Sequence, residues 1–191
     1  MNFDWDEDQT ALRSAAVEFG SRVLTEGIVE RDRKGVFSTE LWSACADFGL
    51  TGLIIPEAWS GLGHKILTAV AVLEGVGYGA LDNGMVFSTA AHAASVAGPI
   101  VDYGTEAQQA EWLPSLADGS VIGAAAVTEP ATGSNSLALT TSARQDGQHW
   151  VLDGSKTFVT NAPIADLFLV YARTGKGSLA GLSCFLVPAD T

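Results

Sequence analysis

The period of the hydrophobic pattern changes near residue 120, and that change constrains the fold more than any other feature. Upstream, Leu12, Ala15, Ala16, Phe19 and Val23 recur at helical spacing, while Asp8, Arg13, Glu18 and Arg22 fall on other faces. Asp4 and Asp6 are both candidate caps for this first helix. Ser38 is a candidate N-cap for a second helix carrying Leu41, Trp42, Cys45 and Phe48, with Gly49 as its stop. Pro56 to Gly63 reads as a loop. Further helices are predicted over about Ile66–Tyr78 and Asn83–Val101, and Thr105 followed by Gln108 has capping-box spacing for a fifth running toward Leu116. Gly75, Gly77 and Gly79 resemble a dinucleotide fingerprint, but they end a helix instead of following a strand, so they read as helix packing or a kink.

After Gly119 the pattern becomes strand-like. Val121 to Thr128 is a short apolar run entering a Thr-Glu-Pro turn. Thr140–Gln145 and His149–Leu152 flank Asp146-Gly147, a hairpin signal. Phe158–Thr160, Leu167–Tyr171 and Leu182–Val187 are further strand candidates, and Thr174–Gly181 reads as a flexible Gly-rich turn. The class is therefore α+β: an all-α helical domain over 1–120 and a β domain over 121–191. A sheet that stops after its last strand leaves an unpaired edge, which suggests that a further part of the fold is missing.

Composition removes several functions. Lys and Arg total 10 against 22 Asp and Glu, a formal charge of −12. Nucleic acid and anionic lipid both require clustered basic residues, so neither is expected as a partner, and the acidity reads as a solubility feature. Cys45 and Cys184 belong to no CxxC pair or Cys/His cluster, so structural zinc has no support. Three scattered histidines, His64, His92 and His149, make no metal site, and His92 on its apolar helix reads as a core histidine. The acidic start lacks a basic n-region, and no uninterrupted apolar run approaches ~18 residues. No leader or membrane insertion is expected, and the cysteine usage fits the cytoplasm.

Two short segments carry the chemistry. Thr128-Glu129-Pro130-Ala131-Thr132-Gly133-Ser134-Asn135 leaves a strand and enters a loop. There Gly133 allows close backbone approach and Ser134 offers a hydroxyl beside amide N–H groups, a combination suited to a diphosphate. Gly154-Ser155-Lys156-Thr157-Phe158-Val159-Thr160-Asn161 offers an aromatic face, backbone donors and a hydroxyl, a combination suited to a flat heteroaromatic ring. From pattern alone, small polar loops of this kind in β domains are usually ordinary turns.

In order and spacing these segments resemble the flavin-binding signatures of the acyl-CoA dehydrogenase family: Thr-Glu-Pro with Gly-Ser-Asp, then Gly-x-Lys-x-Trp-(Ile/Val)-(Thr/Ser)-Asn. The resemblance runs on through Ala165-Asp166 and Ala172-Arg173-Thr174. Upstream it includes Phe48-Gly49-Leu50, Pro56-Glu57, Gly61-Leu62-Gly63, Gly104 to Gln108 and Trp112-Leu113-Pro114, so it covers essentially the whole chain. Phe158 replaces the usual Trp, losing an indole donor, and Asn135 replaces the usual Asp, losing a charge.

The resemblance implies FAD as cofactor. Val127 and Thr128 would face the flavin pyrimidine edge, Gly133 and Ser134 the diphosphate, and Phe158, Val159 and Thr160 the central ring, with Ser134 also a candidate substrate contact. It implies an incomplete antiparallel β-barrel-like middle domain, with a C-terminal four-helix domain absent. The implied reaction is α,β-dehydrogenation of an acyl-CoA or acyl-carrier-protein thioester, an oxidoreductase activity on CH–CH groups in fatty acid metabolism. A carboxylate base removes the α proton, the β hydrogen leaves as hydride, and an electron-transfer flavoprotein reoxidises the flavin. The base is expected in the missing domain, so no catalytic residue is assigned here, and Glu129 reads as structural. A homo- or hetero-oligomer is implied. Three alternatives remain: a flavin monooxygenase on the same fold, a split subunit needing a helical partner, and a non-catalytic interaction module.

Overall fold

The structure, a computed structural model, describes residues 4–176 and 181–191. It divides into two compact units, Met1–Val121 and Ile122–Thr191.

In the first unit, α1 (Glu7–Val23) starts at Asp6, which closes a reciprocal capping box with Gln9. Of the two candidate caps, Asp6 is the one used. A short helix with no counterpart in the sequence reading, α2 (Ile28–Lys34), lies between two left-handed glycines, Gly27 and Gly35. It buries no residue, which is why the apolar pattern did not announce it. Ser38 caps α3 (Thr39–Asp47), and Gly49 follows it at φ 93°. The loop from Pro56 contains one 3-10 turn, Glu57–Trp59. Next come α4 (Ile66–Gly79) and α5 (Asn83–His92). The latter passes through a π segment, Ala93–Ala97, into α6 (Gly98–Tyr103). The continuous helix Asn83–Tyr103 is long and apolar enough, by length and composition, to cross a bilayer. Yet 44% of its apolar window is buried inside the protein, and Met85, His92, Val96 and Ile100 lie in the core. A capping box of Thr105 and Gln108 opens α7 (Glu106–Ala117).

The glycines near the end of α4 serve close packing. A Cβ on Gly75 would lie 2.6 Å from the Arg13 carbonyl oxygen, and one on Gly20 would lie 2.5 Å from that of Val76. Helices α1 and α4 therefore meet almost backbone to backbone. The buried C-terminus of α7 is finished by side chains from other elements. Thr51 Oγ1 donates to the Ala117 carbonyl at 2.7 Å, and Trp42 Nε1 to that of Gly119 at 2.8 Å. His92 Nε2 lies 3.0 Å from the Leu116 carbonyl, which can only accept, so Nε2 carries the hydrogen.

The second unit is one five-stranded sheet: β1 (Gly123–Ala126), β2 (Ser142–Asp146), β3 (His149–Asp153), β4 (Leu167–Arg173) and β5 (Leu182–Pro188). The hairpin β2–β3 pairs Asp146 with His149, and Gly147 supplies the positive φ, 62°, of its tight turn. Antiparallel pairing also joins β4 and β5 from Leu167↔Pro188 to Arg173↔Leu182. One expectation is corrected here: the sheet is mixed, not purely antiparallel. β1 runs parallel to β4, from Gly123↔Leu167 to Ala126↔Val170, and β2 touches β4 in parallel at Ser142↔Arg173. The long connection between β1 and β4 makes the parallel arrangement reachable, since parallel neighbours need a crossover. β1 and β5 both pair with Leu167–Val170, so they occupy opposite edges of β4. Leu167, Leu169 and Ala172 of this central strand are buried. Half of the predicted Gly-rich turn at Thr174–Gly181, residues 177–180, lies outside the described residues.

Candidate flavin site

Both signature segments lie in the connection between β1 and β4, and the structure brings them together. The Thr157 amide donates to the Thr128 carbonyl at 2.9 Å. Lys156 Nζ donates to the Val127 carbonyl at 2.9 Å and to Glu129 Oε1 at 3.0 Å. The first loop is thus tied to the second by main chain and by an ion pair.

Glu129 organises the rest. Its backbone closes a tight turn with Thr132 through Glu129 N to Thr132 O, 3.0 Å, and Thr132 N to Glu129 O, 3.1 Å. Thr132 Oγ1 then donates to the Asn135 carbonyl at 2.6 Å. Gly133 and Ser134 project from this turn as exposed residues. The Glu129 carboxylate is 4% exposed. Its Oε2 accepts from the Thr140 amide (2.6 Å) and hydroxyl (2.8 Å), and Oε1 from the Thr141 amide (2.8 Å) as well as from Lys156. Burial pushes this carboxyl up, but hydrogen bonds from Thr141, Thr140 and Lys156 outweigh it and hold the group well below the usual carboxylate range. A carboxylate so fully engaged and so weakly basic is no general base, which agrees with its structural reading.

The segment Phe158–Thr160, expected as a strand, is instead a turn. Phe158 has φ 54° and Asn161 φ 69°, so left-handed residues bracket Val159 and Thr160. The Asn161 side-chain amide donates to the Gly123 carbonyl at 3.1 Å, anchoring this turn to β1. The Ala162 amide closes it on the Val159 carbonyl at 3.2 Å. Phe158 is 91% exposed. A bulky residue in left-handed geometry, with its ring in water, is a strained arrangement of the kind concentrated at ligand sites. Val159 and Thr160 are half-buried, as are Val127 and Thr128.

These residues fit a flavin dinucleotide. Phe158 offers an exposed aromatic face, and Ser134 is an exposed residue carrying a hydroxyl. A Cβ built on Gly133 meets no atom within 4 Å, so the backbone there is open to an incoming group. The sequence alone assigns no role to Lys156, Thr140, Thr141 or the Asn161 side chain, although Lys156 and Asn161 lie within the second motif. Their roles come from tertiary contacts, with Lys156 reaching Glu129 across 27 residues of chain.

Comparisons with known proteins agree with this arrangement. The description "Acyl-CoA dehydrogenase, N-terminal domain" matches residues 6–120, and "Acyl-CoA dehydrogenase, middle domain" matches residues 124–191. An L-prolyl-(peptidyl-carrier protein) dehydrogenase of Pseudomonas fluorescens is 38% identical over 98% of this chain and 49% of its own length. The mitochondrial short-chain specific acyl-CoA dehydrogenase of Rattus norvegicus is 31% identical over 97% of this chain and 45% of its own. Among solved structures, PigA with FAD and proline superposes with a TM-score of 0.94 at 32% identity, over 100% of this chain and 50% of that one. The chain spans about half the length of these relatives. With the helical unit matching the N-terminal domain and the sheet unit that carries both signature loops matching the middle domain, the chain belongs to the acyl-CoA dehydrogenase family.

Proposed function

We propose that this chain supplies the N-terminal, flavin-holding half of an FAD-dependent dehydrogenase acting on the α,β carbons of an acyl thioester. The observation that carries the reading is the exposed, left-handed Phe158, set on a turn that is fastened to the Thr128–Ser134 loop. In this reading a bound FAD supplies the hydride acceptor. The chain's own residues bind and orient it. Gly133 and Ser134 present backbone and hydroxyl to the diphosphate, Val127 and Thr128 take the pyrimidine edge, and Phe158, Val159 and Thr160 take the central ring. No residue of the site is assigned as the base that abstracts the α proton, and the carboxylate of the first loop, Glu129, is held by Thr140, Thr141 and Lys156.

The thioester is proposed to be a carrier-protein one, with an acyl-CoA as the alternative. This rests on the similarity to a prolyl-carrier-protein dehydrogenase and to PigA with its bound proline. An electron-transfer flavoprotein, self-association and a cytoplasmic setting complete the proposal, the last in keeping with the free thiols of Cys45 and Cys184.

The test is a visible spectrum of the protein at the full length its source makes, followed by anaerobic addition of prolyl-carrier-protein or short acyl-CoA thioester. A yellow protein bleached by the carrier thioester supports the reading. Bleaching by the CoA thioester alone moves the substrate to the alternative. A colourless protein that takes up no added FAD ends the flavin assignment.

A further inference from the structure

The Lys156 ammonium is the point where the two loops, the turn of Glu129 and the start of β2 converge. It is a largely covered cation: its side chain is 11% exposed, against 2% for that of Glu129. Removing both charges from water is costly, and such pairs seldom add net stability over an apolar replacement. The contact made by Lys156 that an apolar residue could not replace is its donation to the Val127 carbonyl. That carbonyl lies one residue before Thr128, whose own carbonyl holds the Thr157 amide immediately ahead of the Phe158–Thr160 turn. Glu129 in turn is held by the Thr140 and Thr141 amides, so the ammonium is aimed from a fixed base.

We infer that Lys156 is a positioning residue for the flavin. Oriented by Glu129, it pins the Val127 carbonyl and so sets the spacing between the Val127–Thr128 and Val159–Thr160 segments. The inference deepens the proposed function and rests on it for the identity of the ligand, while the clamp itself is a property of the free protein. Lys156 touches neither substrate nor the reacting atoms in this account. It acts through the two backbone segments it fastens.

The variants that test this are Lys156→Met, Lys156→Arg and the double change Glu129→Gln with Lys156→Met, all in the full-length protein. The single Met variant strands a buried carboxylate and is expected to fold poorly. The double variant removes both charges, so it strands no buried carboxylate and is expected to fold better than the single Met variant while leaving Val127 without its donor. In its ligand-free form, amide hydrogen exchange at Thr157 and through Val159–Asn161 is expected to quicken by about tenfold, the loss of one charge-assisted hydrogen bond. Its FAD dissociation constant is expected to rise by a similar factor, with a shift in the flavin absorption bands and midpoint potential. Lys156→Arg, which keeps a cationic donor, is expected to recover most of the affinity. A double variant with wild-type exchange at Thr157, or with wild-type FAD affinity, spectrum and potential, would overturn the inference. If the wild-type protein binds no FAD, the functional proposal fails, and the exchange rates still decide whether the clamp exists.

Discussion

In the helical unit, the buried His92, Thr51 and Trp42 present neutral donors that finish the end of α7. In the sheet unit, the buried Glu129 and the largely covered Lys156 are charged and join two loops. The helical unit does carry a partly buried pair, Arg31 with Asp82, but the Arg31 side chain is 22% exposed and sits at the edge. The contrast separates two uses of buried polarity. A neutral donor satisfies a carbonyl that packing would otherwise strand, at modest desolvation cost. A charged pair costs more to bury and returns a fixed geometry. The first use supports a core, and the second supports the candidate site.

The largest effect should come from breaking the charged pair. Lys156→Met leaves Glu129 unpaired and is expected to cost about 3–5 kcal/mol in urea unfolding. A loss below about 1 kcal/mol would erase the contrast, because Glu129 would then be tolerating solitude as a neutral group does.

Acid should probe the other side. Burial lowers the His92 pKa from 6.5 to about 4, against a smaller opposing pull from the Leu116 carbonyl. Between those values the unfolded chain binds the proton and the folded chain does not, so stability falls as pH drops from about 6.5 to about 4. The shift corresponds to roughly 3 kcal/mol. Glu129 contributes in a lower window: its folded pKa is depressed, so its stabilisation persists above the unfolded carboxylate range and fades only as pH falls beneath it. Unfolding followed by tryptophan fluorescence should lose midpoint across the His92 window, and His92→Gln should flatten that slope. A slope that survives the substitution would assign the acid sensitivity elsewhere.

Packing gives a middle-sized effect. Gly75→Ala forces α1 and α4 apart and is expected to cost about 1–3 kcal/mol in thermal unfolding. An unchanged midpoint would show that the helical unit tolerates slack where the sheet unit does not. The smallest effect has the opposite sign. Phe158→Asn places a residue tolerant of positive φ in the strained position and is expected to stabilise the ligand-free protein by about 1 kcal/mol while weakening FAD binding. A variant that lost both stability and affinity would mean that the ring is needed by the fold.

The helical half was legible because its signals are local. Asp6, Ser38 and Thr105 announce their helices by capping, and apolar spacing carries α1, α3, α4 and α5. Helix α2 escaped because it buries nothing. The hairpin was legible from Asp146-Gly147. The parallel pairing of β1 with β4 was not, since partners so far apart in sequence leave no periodic trace. The Phe158 turn was misread as a strand because Phe-Val-Thr has strand-like composition, and nothing within three residues reveals that Thr128 and Gly123 will fasten its two ends. The Glu129–Lys156 pair is a tertiary fact of the same kind.

The parallel pairing of β1 with β4 also sets an order of events during synthesis. Ala126 has no partner until Val170 is made, and both signature loops lie in the chain between them. The β2–β3 hairpin can close as soon as it leaves the ribosome, whereas the β1–β4 ladder must wait for loop closure over the whole connection. The flavin loops therefore gain their shared frame late, after the helical unit is complete, and a nascent chain stalled before Leu167 would present both signatures with no site between them.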